Sequence, residues 1–232
     1  MTSFVFDVDG TLTDARQKID PEFEKFMMQF TRMHTCFICT GSDRPKTLEQ
    51  IGQLLTDSFK TAFHCSGNHV YQQGKEIYKS HWQISDQEYW FLEDELKQAN
   101  YKEKTGNHIE TRIGMVNFSV VGRNANLEQR KRYTLWDKKT NTRNKIVERY
   151  NDLFGHKSQA VVGGDTSIDI FKLGGDKSQV KNLINDDIVF FGDKCFPGGN
   201  DYALSQLAEK FYQIDNGWQQ TFEILKNEYH KQ

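Results

Sequence analysis

Apolar and polar positions follow one rhythm near the two ends of the chain and another in its middle. FVFDV, residues 4 to 8, reads as a short buried strand. DPEFEKFMMQFTRM follows, with a cap at Asp20, an early Pro21, and Phe23, Phe26, Met27 and Phe30 at helical spacing. TCFIC repeats the strand pattern and DRPKTLEQIGQLL the helix, with Leu48, Ile51 and Leu55 on one face. Strand and helix alternating in this way predict an α/β fold built on a doubly wound parallel sheet.

The rhythm changes after residue 65. HVYQQGKEIYKSHW predicts a hairpin turning at Gln73-Gly74, DQEYWFLEDELKQA a helix, and HIETRIGMVNFSVVG a pair of strands bent at Gly114. A charged helix around 138–154 and the strands QAVVGG and SIDIFKL continue this antiparallel α+β material. From residue 175 the first rhythm returns, with a helix after Asp176, the strand DIVFFGD, a helix after Asn200, a strand near Phe211 and a final helix from Gly217. The expected organisation is a core from residues 1–81 and 173–232, interrupted by an α+β insertion at 82–172.

With 232 residues, 37% of them hydrophobic and 13% aromatic, the chain can build a packed interior, which excludes disorder. A net charge of -2 supplies no global field toward nucleic acid or an anionic membrane, so any anion site must be local. No stretch approaches the roughly 18 to 20 apolar residues of a membrane span and no basic-then-apolar leader opens the sequence, so a cytoplasmic protein is expected. Cys36 and Cys39 spell a CxxC, but three residues apart on a strand they face opposite sides. Buried thiols are therefore expected rather than a redox or zinc pair. Cys65 and Cys195 are too scattered for a disulfide framework. None of the seven histidines has metal-ligand spacing, and His64 reads as a core or sheet-edge residue. Trp82, Trp90 and Phe91 read as packing or as part of a subunit interface.

Residues at the carboxyl ends of parallel strands face a ligand crevice. Three predicted strand ends carry polar groups of one theme: Asp7 and Asp9 after FVF, Thr40 and Ser42 after CFIC, and Asp193 after VFF. Carboxylates from two strands can share a hard cation such as Mg²⁺, while the Thr40 and Ser42 hydroxyls and the Gly41 amide can hold phosphate oxygens. An aspartate beside such a metal can attack phosphorus. DVDGT alone also suits a turn and a helix cap. The companion segment FFGDKCFPGGND, an odd strand exit for structure only, shifts the balance toward chemistry.

These segments resemble the four motifs of the haloacid dehalogenase superfamily of phosphotransferases: DVDGT the first, TGS the second, Lys177 in GGDK the third and GDKCFPGGND the fourth. More narrowly, DVDGTLTDARQKI, RIGMVNFSVVGR, SIDIF and FFGDKCFPGGND resemble the eukaryotic type of phosphomannomutase over nearly the whole chain, the insertion becoming that family's cap. The resemblance implies that Asp7 is the phosphorylated nucleophile and Asp9 the general acid and base. It gives Mg²⁺ to Asp7, Asp193 and the carbonyl of Asp9, with Asp201 contributing. Lys177 would neutralise the phosphoryl group, and Thr40, Gly41 and Ser42 would hold it. Substrate binding would fall to Arg16 from the core and to Arg112, Arg123, Arg130, Ser167 and Asp169 from the cap, since forked guanidinium groups pair with a distal phosphate. The implied activity interconverts mannose 6-phosphate and mannose 1-phosphate, with glucose phosphates as further candidates and a hexose 1,6-bisphosphate as activator. A homodimer through the caps and a place in GDP-mannose biosynthesis are implied as well. The partner is a small hexose phosphate, not nucleic acid or membrane.

Three departures from the family pattern stand out: TGSD where Gly-Gly-Ser-Asp is common, GGDK for Gly-Trp-Asp-Lys, and SGN for Glu-Asn-Gly. They bear on cap closure and sugar orientation more than on phosphoryl transfer. The competing reading on the same scaffold is a sugar phosphate phosphatase, in which water rather than a sugar hydroxyl discharges the aspartyl phosphate. A non-catalytic binding protein is disfavoured by Asp7, Asp9, Lys177 and Asp193 occurring together. Nucleic-acid binding through residues 123–145 is disfavoured by the acidic balance.

Overall fold

The structure, a computed structural model, describes residues 1–229; residues 230–232 of the expected core segment lie outside the described residues. Strand β1 (Thr2–Phe6) is followed by α1 (Pro21–Met33), whose first turn is capped by Asp20 accepting from the amides of Glu22 and Phe23. Phe23, Phe26, Met27 and Phe30 form its buried stripe, as their spacing predicts. Strand β2 (Thr35–Cys39), α2 (Arg44–Ser58), β3 (Thr61–His64) and the hairpin β4 (His69–Gln72) and β5 (Lys75–Lys79) complete the first half. The middle of the chain supplies α3 (Asp86–Gln98), β6 (Ile109–Arg112), β7 (Met115–Phe118), α4 (Leu127–Thr140), α5 (Thr142–Phe154), β8 (Ser158–Val162) and β9 (Ile168–Lys172). Strand β10 (Asp187–Gly192), α6 (Tyr202–Leu207), β11 (Lys210–Gln213) and α7 (Trp218–Ile224) follow.

Two sheets result. The larger runs β11-β10-β1-β2-β3-β4-β5, its first five strands parallel and the β4–β5 hairpin antiparallel at one edge. Side chains alternate along each strand, so Phe4, Phe6, Cys36, Ile38 and Phe191 pack with α1 on one face while Val5, Phe37, Cys39, Phe63 and Phe190 pack on the other. Both faces being apolar is what a doubly wound sheet requires. The smaller sheet, β6-β7-β9-β8, is antiparallel throughout and packs through Val116, Phe118, Ile168 and Ile170 against Leu92, Tyr133, Ile146 and Tyr150 of its helices.

Several expectations need correction. The first strand ends at Phe6 rather than at residue 8, because Val8 turns the chain and its carbonyl accepts from Leu12 and Thr13. The single charged helix at 138–154 is two, parted by Asn141 in the left-handed conformation (φ 55°). Helix α4 escaped the pattern because Tyr133 and Asp137 are its only buried residues, too few to mark a stripe. In α2 the buried face is Thr47, Gln50, Ile51, Leu55 and Thr56; Leu48 is half-buried, and Gly52 (φ 74°) breaks the helical register. The helix after Asp176 is a 3-10 segment, Lys177–Leu183, capped by Asp176.

Candidate active site

Strand β1 lies between β10 and β2, so the carboxyl ends of all three open side by side. Asp7 still donates its amide to Phe191 at 2.9 Å and Thr40 to Phe63 at 2.9 Å, which fixes both just beyond the sheet. Gly10 (φ 82°) turns the chain where a Cβ would stand 2.7 Å from Asp193 Oδ2, so only glycine lets this loop approach Asp193. Beneath the strand ends lies Lys177, wholly buried, its Nζ 2.7 Å from Asp7 Oδ1 and 2.6 Å from Asp201 Oδ1. Asp201 Oδ2 accepts the Lys194 amide at 3.0 Å, and the Lys194 ammonium pairs with Asp193.

Oxygens of Asp7, Asp193 and Asp201 lie within 4.8 Å of one another. Burial, opposed by Lys177 and reinforced by Asp201 and Asp193, pushes the Asp7 carboxyl up to about 8. Asp193, half-buried, is raised by desolvation against the opposing pull of Lys194, to about 6. For Asp7 and Asp193 burial is the larger cause, and neighbouring carboxylates add to it. A set of hard oxygen donors with surplus negative charge can hold a metal ion. The side chain of Asp9 does not belong to this cluster, so a metal role for Asp9 is left to its main-chain carbonyl.

Asp9 points elsewhere. Its Oδ1 accepts the Arg16 amide and Gln50 Nε2, both at 2.8 Å, and its Oδ2 accepts Lys46 Nζ at 2.6 Å and Ser42 Oγ at 3.2 Å. Burial alone would raise this carboxyl, but Lys46 and the surrounding donors outweigh it and hold Asp9 well below the usual carboxylate range. Lys46 and Gln50, four apart on α2, were not singled out from the sequence. The signal that could have found them is a polar pair at helical spacing directly after the second strand end.

A cavity of about 600 Å³ opens above these groups, between the strand ends of the larger sheet and the smaller sheet with α4. Of the residues named from the sequence, Asp7, Asp9, Arg16, Thr40, Gly41, Ser42, Arg112, Arg123, Arg130, Ser167, Asp169 and Asp193 line it. Lys177 and Asp201 lie under its floor, fully buried. The arginines face the carboxylates from the other side. Burial together with Arg112 and Arg16 lowers Arg123 to about 10, and burial with Arg123 lowers Arg130 to about 10. Glu110 neutralises part of this charge, pairing with Arg112 and lying 3.3 Å from Arg123 Nε. Arg130 Nη2 is nonetheless buried without a hydrogen-bond partner. Crowded guanidinium groups with an unspent donor are a site for an anion. Asn117 and Asn200, also missed in the sequence, reach Asp169 at 2.6 and 3.4 Å.

The sequence pattern of the family described as eukaryotic phosphomannomutase matches residues 23–229. The chain belongs to that family. A phosphomannomutase of Arabidopsis thaliana is 34% identical over 86% of this chain and 85% of its own length, and one of Saccharomyces cerevisiae is 34% identical over 88% and 84%. A probable phosphomannomutase of Caenorhabditis elegans is 36% identical over 88% of this chain and 85% of its own. Among solved structures, an N-terminally truncated IMP-nucleotidase of Plasmodium falciparum superposes with a TM-score of 0.70 at 14% identity, over 99% of this chain and 70% of that one. A haloacid dehalogenase-like hydrolase of Bacteroides thetaiotaomicron gives 0.57 at 11% identity, over 97% and 99%. At such identities the two structures speak for the fold alone, a parallel-sheet core of haloacid dehalogenase type. The chain is thus an enzyme of the phosphomannomutase kind, an intramolecular phosphotransferase.

Two of the departures from the phosphomannomutase pattern meet in space. Asn68 of SGN donates to the carbonyl of Gly175 of GGDK at 2.8 Å, and Gln179 bridges the Ser66 and Gly175 carbonyls at 2.8 and 3.0 Å. A Cβ at Gly175 would stand 2.9 Å from the Lys172 carbonyl, so the aromatic common in phosphomannomutases does not fit this backbone. The four cysteines are buried and unpaired, and burial pushes Cys65 up to about 12, as inert thiols require. His64 is a core residue: its Nδ1 lies 3.2 Å from Thr47 Oγ1, and burial lowers it to about 3.

Proposed function

We propose that this enzyme interconverts mannose 6-phosphate and mannose 1-phosphate, with glucose phosphates as further substrates, through phosphorylated Asp7 and a hexose 1,6-bisphosphate. The observation that supports this reading is one cavity with Asp7 and its neighbouring carboxylates on one side and four arginines on the other. A bisphosphate that must turn over needs two anion pockets facing one another. Residues 1–81 and 173–232 are the catalytic core in this reading, and 82–172 the cap.

Asp7 attacks phosphorus, Lys177 holds its carboxylate in place, and Asp9 takes a proton from the attacking hydroxyl or returns one to the departing oxygen. Thr40, Gly41 and Ser42 border the transferring phosphoryl group. Arg16, Arg112, Arg123 and Arg130 hold the distal phosphate, and Ser167 and Asp169 the sugar. Asp7, Asp193 and Asp201, with the Asp9 carbonyl, would hold Mg²⁺, which supplies positive charge against the phosphoryl oxygens. The homodimer expected of the family would cover Tyr89 and Trp90, exposed at 38% and 61% on α3.

The test is incubation with Mg²⁺ and mannose 1-phosphate, with and without glucose 1,6-bisphosphate, following mannose 6-phosphate and free phosphate together. Isomer formation that the bisphosphate stimulates and chelation abolishes is the expected result. Phosphate release without isomer overturns the mutase reading in favour of a phosphatase.

A further inference from the structure

The four donors on Asp9 carry a consequence for proton transfer. A carboxylate offers about four lone-pair positions, and here all are taken. Asp9 therefore cannot engage a sugar hydroxyl until one donor leaves. On Oδ1 the donors are a backbone amide and Gln50, which is 3% exposed and also donates to Thr13 at 3.1 Å. Neither can withdraw without dismantling the loop or the α2 packing. On Oδ2 they are Ser42, beside the strand end, and Lys46, whose Nζ is 2.6 Å away. Lys46 stands on the first turn of α2, borders the cavity, and carries its charge on a flexible four-carbon stem.

Resting on the acid and base reading of Asp9 above, we infer that Lys46 is a positioning residue for proton transfer: it aims Asp9 Oδ2 at the cavity and yields that oxygen to the substrate hydroxyl. The ammonium keeps Ser42 Oγ, 3.1 Å away, as a second partner while it yields. In the forward step the hydroxyl oxygen bonds to phosphorus, the bond from phosphorus to the Asp7 oxygen breaks with its electron pair returning to the carboxylate, and the hydroxyl proton passes to Asp9 Oδ2. In the reverse step Asp7 attacks, the bond from phosphorus to the sugar oxygen breaks, and Asp9 returns the proton to that oxygen. No further reactant is needed.

The test compares leaving groups. In single-turnover mixing, transfer from glucose 1,6-bisphosphate to the enzyme expels an alkoxide that needs a proton, whereas p-nitrophenyl phosphate expels a phenolate that does not. For Lys46→Met the first-turnover rate with the bisphosphate is expected to fall by about 10- to 100-fold, less than the roughly 10²- to 10⁴-fold of the acid or base itself. That loss should exceed the loss on the nitrophenyl ester by about tenfold or more. Lys46→Arg, which keeps the charge, should recover part of the difference, and it carries the same comparison if the methionine variant does not fold. Equal losses on the two donors overturn the role of Lys46. Asp9→Ala, run alongside, separates this failure from that of the underlying reading: if Asp9→Ala also loses equally on both donors, the acid and base assignment of Asp9 falls. If Asp9→Ala is selective and the Lys46 variants are not, only Lys46 falls.

Discussion

The floor and the roof of the cavity carry opposite charge and are built on opposite principles. On the floor, Asp7, Asp193 and Thr40 stand at the ends of adjacent parallel strands, and Lys177 is clamped between Asp7 and Asp201 with no exposure at all. On the roof, the arginines come from a strand, a loop and a helix. They spend some donors on Glu110, on the Gly41 carbonyl at 2.8 Å and on Thr166 at 2.7 Å, and keep others in reserve. The floor is fixed before substrate arrives, as electrostatic stabilisation of a transferring phosphoryl group demands. The roof holds its charge in contacts that a phosphate can replace.

This contrast can be broken in four ways. Asp7→Asn is expected to lower isomerisation on the order of 10³-fold or more, as loss of a nucleophile does, while urea unfolding shifts little because Lys177 keeps Asp201 as its partner. Retained turnover would refute Asp7 as the phosphorylated group. Lys177→Met leaves Asp7 and Asp201 facing each other without their cation and is expected to cost about 3 to 5 kcal/mol in chemical denaturation. A loss under about 1 kcal/mol would mean that the floor is not held by that ion pair.

On the roof, Arg123→Ala should raise KM for hexose phosphate by about 10- to 100-fold, the equivalent of one charged hydrogen bond, with kcat falling less. A fall confined to kcat would move Arg123 from binding to chemistry. The fourth test reaches the core behind the floor. His64 stays neutral in the fold down to about pH 3, whereas in the unfolded chain it protonates near its ordinary value of 6.5. Between these values the unfolded chain binds the extra proton, so stability falls as pH drops, by at most about 1.4 kcal/mol per pH unit. His64→Gln should flatten the urea-midpoint profile in that window, and an unchanged slope would show that His64 is accessible to water.

Legibility in the sequence followed how local each signal is. The Asp20 cap and the Phe23, Phe26, Met27 and Phe30 stripe are set within one helix, and the pattern showed them. Asp7, Thr40 and Asp193 were readable because a parallel sheet brings strand ends together whatever lies between them. Helix α4 was not, since only Tyr133 and Asp137 are buried and the rest of its residues are half-buried or exposed without forming an apolar stripe. Of Lys46, Gln50, Glu110, Asn117 and Asn200, only the first two left a trace in the sequence, as a polar pair at helical spacing after the second strand end. All but Glu110, whose partner Arg112 is two residues on, matter through a partner far along the chain: 37 residues separate Lys46 from Asp9, and 52 separate Asn117 from Asp169.

The sequence by itself determined the alternation of elements, the antiparallel material between the two α/β segments and which polar residues stand at the strand ends, because strand and helix periodicity and residue chemistry are properties of short segments. Only the tertiary structure decided their environments. It buried Lys177 between two carboxylates, turned Asp9 away from the carboxylate cluster and onto Lys46, and set Asn68 against Gly175 so that two separate departures became one contact. Burial and the distance to the next charge fix which form of an ionisable group prevails, and neither exists until the chain has closed on itself.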